Sequence, residues 1–297
     1  METARCYTIR WDGRELDLGV RTLVMGVLNI TPDSFSDGGR FFKADAAIAQ
    51  ARTLVRDGAD ILDVGGESTR PFADEVPASE EIRRVIPVIE ALAGRIAVPI
   101  SIDTTKAAVA RRALAAGASL INDVSALGGD AQMAALAAET GVPVVLMHML
   151  GNPRTMQVDP VYDDLVPDIR AYLGQAIDRA EKAGISRAKI IIDPGIGFGK
   201  TVDHNLQLIK CLPEFSSLDV PLLVGPSRKY FIRKLLSDHP DRALTPDVPE
   251  VENGTQAIVA ACALQGAHIV RVHDVARTRQ TLTMIDALKG ADYNSER

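Results

Sequence analysis

The chain has 297 residues, 46% of them hydrophobic and 24% charged, which is the composition of a folded globular protein rather than a disordered one. With 33 basic against 39 acidic residues, 4% aromatic residues and no basic run, it lacks the surplus of positive charge and stacking surface that a nucleic-acid or anionic-membrane binder needs. Cys6, Cys211 and Cys262 are far apart and include no CxxC, so neither a disulfide framework nor a structural zinc site is expected. The first residues are interrupted by charges and lack the apolar segment of a secretory signal. No apolar stretch approaches the ~20 residues of a membrane span, so a cytoplasmic protein is expected.

The chain opens with YTIRWDGRELDL, which alternates around Asp12-Gly13 and predicts a β-hairpin. Short apolar runs then alternate with longer Ala-rich amphipathic stretches. The runs predict strands at Thr22–Leu28, Ile61–Gly65, Pro99–Asp103, Leu120–Asp123, Val142–His148, Lys189–Asp193, Pro221–Gly225 and His268–His273. Helices are predicted between them, among others at Asp45–Asp57, Ser79–Leu92, Lys106–Ala116, Ala131–Thr140 and Val161–Ala183. Gly58, Gly117 and Gly266 each follow a helical stretch and precede a strand, where glycine closes a helix in the left-handed conformation. Eight strands apolar on both faces, each followed by a helix, predict an α/β fold made of one closed parallel (β/α)8 barrel. The expected division is a hairpin over 1–20, a barrel over 21–290 and a tail over 291–297.

Such a barrel builds its active site at the carboxyl ends of its strands. Those positions read Asn29, Glu67, Asp103, Asn122, His148, Asp193, Ser227 and His273. Asn, Asp and Ser also cap helices and shape turns, so no single position decides, but eight polar ends on one rim exceed what capping requires. Asp103, Asn122 and Asp193 offer acceptors suited to a flat heterocycle with an amidine-like edge. Arg271 and His273 alternate along the last strand and, with Lys229, form a cationic set suited to a phosphate or pyrophosphate. Gly195–Thr201 ends like a Walker A loop, but Pro194 stands where that motif needs glycine, so Asp193-Pro194-Gly195 reads as a turn that aims Asp193. His148, in an apolar strand, reads as a satisfied rim histidine ahead of a catalytic base, and His204 and His239 as surface residues. The loops 31–39 and 65–71 mix turn formers with Asp, Arg and aromatic residues, as a lid over a barrel mouth would.

Taken together, MGVLNITPDSFSDGG, DVGGESTRP, SIDT, INDVSA, LMHMLGNPRTMQ, DPGIGFGK, PSRK and RVHDV resemble the motifs of the dihydropteroate synthase family, in the family's order, from Met25 to Val275. The resemblance implies a TIM-barrel transferase of folate biosynthesis. It would join 6-hydroxymethyl-7,8-dihydropterin pyrophosphate to p-aminobenzoate, giving 7,8-dihydropteroate and pyrophosphate, with Mg²⁺ as cofactor and sulfonamides as competitors. Carried over by motif, Asp103, Asn122, Asp193 and Lys229 would hold the pterin, and Asn29 the Mg²⁺. Asn29, Thr69, Arg271 and His273 would bind the pyrophosphate. Phe35, Thr69, Arg70, Pro71, Phe198, Lys229 and Tyr230 would surround the aminobenzoate. Asp37 would stand near the metal and the developing charge, completing a catalytic set with Asp103, Lys229, Arg271 and His273. A homodimer is also implied, to which the apolar stretch Ala257–Leu264 could contribute.

The chain departs from the family pattern after Ser-Arg-Lys, where Tyr230 replaces an expected serine and Arg233 an expected glycine. Weaker aminobenzoate and sulfonamide binding is expected in consequence. Two alternatives are a methyltetrahydrofolate-dependent methyltransferase, which has no use for a pyrophosphate clamp, and a non-catalytic pterin-binding paralogue.

Overall fold

The computed structural model describes residues 5–30, 40–68, 75–152, 155–239 and 241–291. Strands β1 (Tyr7–Trp11) and β2 (Arg14–Leu18) pair antiparallel, with Trp11 opposite Arg14. Between them Asp12 and Gly13 have φ of +42° and +69°, the two left-handed positions of a hairpin turn whose twist matches its strands. Ile9, Trp11, Leu16 and Leu18 fall on one face and are buried in the same core as the rest of the chain.

Eight parallel strands follow: β3 (Leu23–Asn29), β4 (Ile61–Gly65), β5 (Ile100–Asp103), β6 (Leu120–Asp123), β7 (Val144–Met147), β8 (Ile190–Asp193), β9 (Leu223–Val224) and β10 (Ile269–Val272). Their order is β8-β7-β6-β5-β4-β3-β10-β9. A parallel bridge between Ile192 and Leu222, with the Ile192 N–H donating to the Pro221 carbonyl at 2.9 Å, brings β9 against β8 and nearly closes the ring. The expected strand 221–225 shortens to two residues because Leu222 gives its N–H to His268 Nδ1 (3.0 Å) instead of the ladder.

The helices are α1 (Arg40–Arg56), α2 (Ala78–Leu92), α3 (Ala107–Ala115), α4 (Met133–Thr140), α5 (Leu165–Lys182), α6 (Val202–Lys210), α7 (Tyr230–Leu235), α8 (Pro249–Leu264) and α9 (Val275–Lys289). Gly58, Gly117 and Gly266 take φ of +103°, +114° and +93° between helix and strand, as their positions predict. Two helices start later than their apolar pattern suggests. Asp130 accepts from the N–H groups of Gln132 and of Ala107 (both 2.9 Å), which holds a turn before α4 and caps α3 from outside. Ahead of α5, Tyr162 donates its hydroxyl to the Gly199 carbonyl (2.7 Å), drawing that segment toward the turn after β8.

The hairpin lies at the amino end of the barrel. Tyr7 stands edge-on to His268 (centroids 5.2 Å apart), and Arg5 reaches Asp219 at 2.8 Å, just before β10 and β9 begin. Among the described residues, no helix is long and apolar enough to cross a membrane.

Candidate active site

Strand register sets one level at the carboxyl end of the barrel. Asn29 pairs with Gly65, Gly65 with Asp103, and Asp103 with Asn122. A Cβ on Gly65 would lie 3.6 Å from both Asn29 Oδ1 and Asp103 Oδ2, so the missing side chain opens the space between them. Asp123, one residue beyond Asn122, turns away and takes the N–H groups of Ser125 (2.8 Å) and Leu127 (3.0 Å). That bend leaves Ala126 and Leu127 with positive φ.

At the floor, the Arg271 guanidinium donates from Nε to Asp63 Oδ2 (2.6 Å) and from Nη2 to Asp103 Oδ2 (2.7 Å). Asn122 Nδ2 donates to the same Asp63 oxygen at 3.0 Å. Arg271 therefore does not stand apart in a purely cationic set with Lys229 and His273 but is gripped by two acids. Arg271 sits among the acids because β10 lies next to β3, one strand away from β4, and its long side chain reaches across to Asp63 on β4 and Asp103 on β5. Two carboxylates share one cation, and Asp63 Oδ1 and Asp103 Oδ1 are buried with no hydrogen-bond partner among the described residues. Burial, which outweighs the attraction of Arg271 and is reinforced by Asp63, pushes the Asp103 carboxyl above the usual carboxylate range. Such groups hold unmet capacity for donors, which is the chemistry an N–H-rich ring edge supplies.

Asp193 ends β8 and accepts from the Gly195 N–H at 2.7 Å. Burial pushes its carboxyl up to about 6, although that N–H and the nearby Lys229, Lys200 and Arg271 pull it down. Gly195 has φ of +72°, and a Cβ there would meet the His148 carbonyl at 1.9 Å, so only glycine permits this turn. Within it the buried Lys200 donates to the Phe198 carbonyl (2.9 Å) and to His148 Nδ1 (3.0 Å). Burial and Lys200 hold His148 far below the ordinary imidazole range, at about 2, and Tyr172 stands edge-on to its ring (4.8 Å). His148 is thus a neutral, satisfied rim histidine. Lys229 lays its Nζ 3.9 Å from the centroid of the buried Phe198 ring, a cation–π contact, and its stem passes where a Cβ on Gly197 would stand.

Ser227 Oγ lies 3.0 Å from His273 Nδ1, joining the β9 and β10 ends. Arg228 has φ of +58° and is held in it by Asp247 (2.8 Å), Glu252 (3.4 Å) and Thr255 (3.1 Å), which sets where Lys229 projects. Tyr230 begins the six-residue α7, is 47% exposed, and packs its ring against Arg233 at 5.8 Å.

Glu67 does not join this set. It pairs with Lys106 (2.5 Å) and takes the Val76 N–H (2.8 Å), while Lys106 also meets the buried Glu81 (2.9 Å). The expectation that it faces the mouth is corrected, because this ion triad ties down both stems of the loop after β4. Phe35, Asp37, Thr69, Arg70 and Pro71 lie outside the described residues. Reading strand ends missed Asp63 and Lys200. The available signal for Asp63 was a lone acid two residues before the end of an apolar strand. For Lys200 the sequence showed only the nearby Phe198 carbonyl, and its burial depends on His148, 52 residues away.

Among the described residues no three His, Cys, Asp or Glu side chains converge as metal ligands. Asn29 Oδ1 offers one hard, uncharged oxygen beside the gap at Gly65. That donor fits a Mg²⁺ that keeps its waters and is carried largely by substrate phosphate oxygens.

The profile of the pterin binding enzyme family matches residues 25–273. A dihydropteroate synthase of Synechocystis sp. is 48% identical over 272 residues, covering 92% of this chain and 92% of that protein. One of Escherichia coli is 47% identical over 282 residues, covering 95% and 96%. Among solved structures, a Xanthomonas albilineans dihydropteroate synthase with 4-aminobenzoic acid superposes with a TM-score of 0.88 at 44% identity, covering 97% of this chain and 100% of that one. The same organism's enzyme in complex with 7,8-dihydropteroate gives 0.85 at 43% identity, covering 96% and 100%.

Proposed function

The chain belongs to the dihydropteroate synthase family of pterin-binding enzymes, and from that premise we propose how its barrel mouth divides the work of the family's transfer reaction. The reaction condenses 6-hydroxymethyl-7,8-dihydropterin pyrophosphate with p-aminobenzoate to 7,8-dihydropteroate and pyrophosphate. Asp103, Asn122 and Asp193 accept hydrogen bonds from the pterin's amidine-like edge, and Lys229, steadied over Phe198, reaches the ring. The observation that carries this assignment is the buried Asp103 Oδ1, which has no hydrogen-bond partner among the described residues and stands at the same level as Asn122.

The substitution is dissociative. The bond between the pterin methylene carbon and the pyrophosphate oxygen breaks first, and its electron pair leaves with pyrophosphate. Arg271 and His273 take up the charge that builds on the departing oxygens. The methylene cation is conjugated with the pterin ring and lies over buried carboxylates that stabilise positive charge. The aniline nitrogen then bonds to that carbon, and its proton passes to pyrophosphate or solvent. An arylamine needs no strong general base. Asn29 would hold Mg²⁺, which when bound would supply Lewis-acid neutralisation of the pyrophosphate charge. Phe198 and Tyr230 border the aminobenzoate, joined by Phe35, Thr69, Arg70 and Pro71 from the loops, with Thr69 also on the pyrophosphate and Asp37 near the metal. Sulfonamides compete for that aminobenzoate site. The enzyme works in the cytoplasm as a homodimer. Within the Ala257–Leu264 stretch, Val259, Cys262 and Ala263 are buried in the fold, whereas Met284 and Leu288 on α9 are 71% and 58% exposed and better placed to meet a second copy.

The test is pyrophosphate release from the dihydropterin pyrophosphate, with and without p-aminobenzoate, in Mg²⁺. Release that depends on p-aminobenzoate and yields dihydropteroate is the expected result. Tight pterin binding without product would instead identify a non-catalytic paralogue.

A further inference from the structure

Asp63 lies one level below the strand ends, fully buried in Ile61-Leu62-Asp63-Val64-Gly65. A carboxylate there is costly unless it is paired, and an aliphatic side chain would fill a barrel floor better. What distinguishes Asp63 is what it holds. One oxygen receives both Arg271 Nε (2.6 Å) and Asn122 Nδ2 (3.0 Å). Because the Asn122 amide gives its nitrogen to Asp63, its Oδ1 lies on the other side of the amide and is left as an acceptor. It also engages the guanidinium on the Nε edge, leaving Nη1 on the opposite edge. Asp103 shares that grip through Nη2 (2.7 Å), yet Asp103 is the acid offered to the substrate.

We propose that Asp63 is a positioning residue for the transfer reaction: it presents Asn122 Oδ1 as an acceptor and retains Arg271 when a ligand takes over Asp103. The inference rests on the pterin reading above for the identity of that ligand. No contact between Asp63 and substrate is required. The consequence is selective, because Asn122 serves the pterin ring and Arg271 its pyrophosphate, whereas the aminobenzoate is bordered by Phe198, Tyr230 and the loops.

The experiment compares the wild type with Asp63→Leu and Asp63→Asn by titrating 6-hydroxymethyl-7,8-dihydropterin, which lacks the pyrophosphate, and by measuring KM for both substrates. Asp63→Leu should lose pterin affinity by about 100-fold, because Asn122 is freed to turn its Nδ2 toward the ring and Asp103 must then hold Arg271 alone. Its aminobenzoate KM should change by less than about threefold and its circular dichroism should stay that of the wild type. Asp63→Asn, which keeps one acceptor oxygen, should recover to within about tenfold of the wild type. Pterin affinity in Asp63→Leu within threefold of the wild type would overturn the proposal, as would an equal rise in both KM values. Should Asp63→Leu fail to fold, Asp63→Asn decides: unchanged pterin affinity refutes the role, and a three- to tenfold loss confined to the pterin supports it. A wild type that binds no pterin would overturn the functional reading, and this inference with it.

Discussion

The two ends of the barrel treat their inward acids, half-buried at one end and buried at the other, in opposite ways. Just before β4 begins, Asp60 receives Arg21 from two nitrogens (3.0 and 2.6 Å), Arg279 (2.5 Å) and the Val24 N–H (2.8 Å). Burial pushes its carboxyl up, but these partners outweigh burial and hold it below the ordinary range. A few residues further on, inside β4, Asp63 shares a single guanidinium with Asp103, and each keeps an oxygen without a partner among the described residues. There burial prevails, and Asp103 and Asp193 rise. A saturated acid contributes stability. An undersaturated one costs stability and holds capacity that a ligand can meet.

The strongest way to break this contrast is Asp103→Ala. Pyrophosphate-release assays should show kcat/KM lower by about 10³, because the pterin loses an acceptor and its orientation, while thermal melting should show no loss of stability. Near-wild-type turnover would remove Asp103 from the site. The converse change, Asp60→Ala, should lower stability by on the order of 2–3 kcal/mol in denaturant titration and leave both KM values alone. A changed pterin KM would mean that the two ends are coupled.

Opposite pH slopes follow from the same contrast. Asp60 has a lowered folded-state pKa, so its contribution is present above about pH 4 and is lost as pH falls further. Asp193 has a raised one, about 6, so folding binds protons there and its effect on stability worsens as pH rises from about 4 to 6. In the proposed role Asp193 binds the pterin in its ionised form, which runs the other way. The pterin KM should climb toward tenfold per unit below pH 6. Melting of Asp193→Asn relative to the wild type should improve as pH rises from 4 to 7. A pterin KM that is flat between pH 5 and 7 would deny Asp193 its place. The smallest effect is expected at Tyr230, half-exposed at the edge of the mouth. Tyr230→Ser should lower the aminobenzoate KM and the sulfonamide inhibition constant by a factor of about five, ~1 kcal/mol, and an unchanged KM refutes the crowding argument.

The elements that were legible in the sequence are those with local causes. Asp12-Gly13 specifies its turn, Gly58, Gly117 and Gly266 close their helices in left-handed geometry, and Ile61–Gly65 and Leu120–Asp123 coincide with their strands to the residue. The polar strand ends were equally visible, because a barrel strand must be apolar until it reaches the rim. Which of those ends share a site was not visible. Glu67 and Asp103 look alike in the chain, yet one is drawn aside by Lys106 and Glu81 and the other meets Arg271 from 168 residues away.

Asp63 gives the same lesson from inside a strand. Its sequence context is that of a misplaced charge, and only strand order sets it beside Asn122 and Arg271. The sequence by itself determined the barrel, its hairpin and the rim where chemistry would gather, since periodicity, turn geometry and helix closure act over a few residues. The tertiary structure alone decided which acids are saturated and which stay open to a ligand, because a buried charge takes its energy from partners that only the register of distant strands can bring within 3 Å.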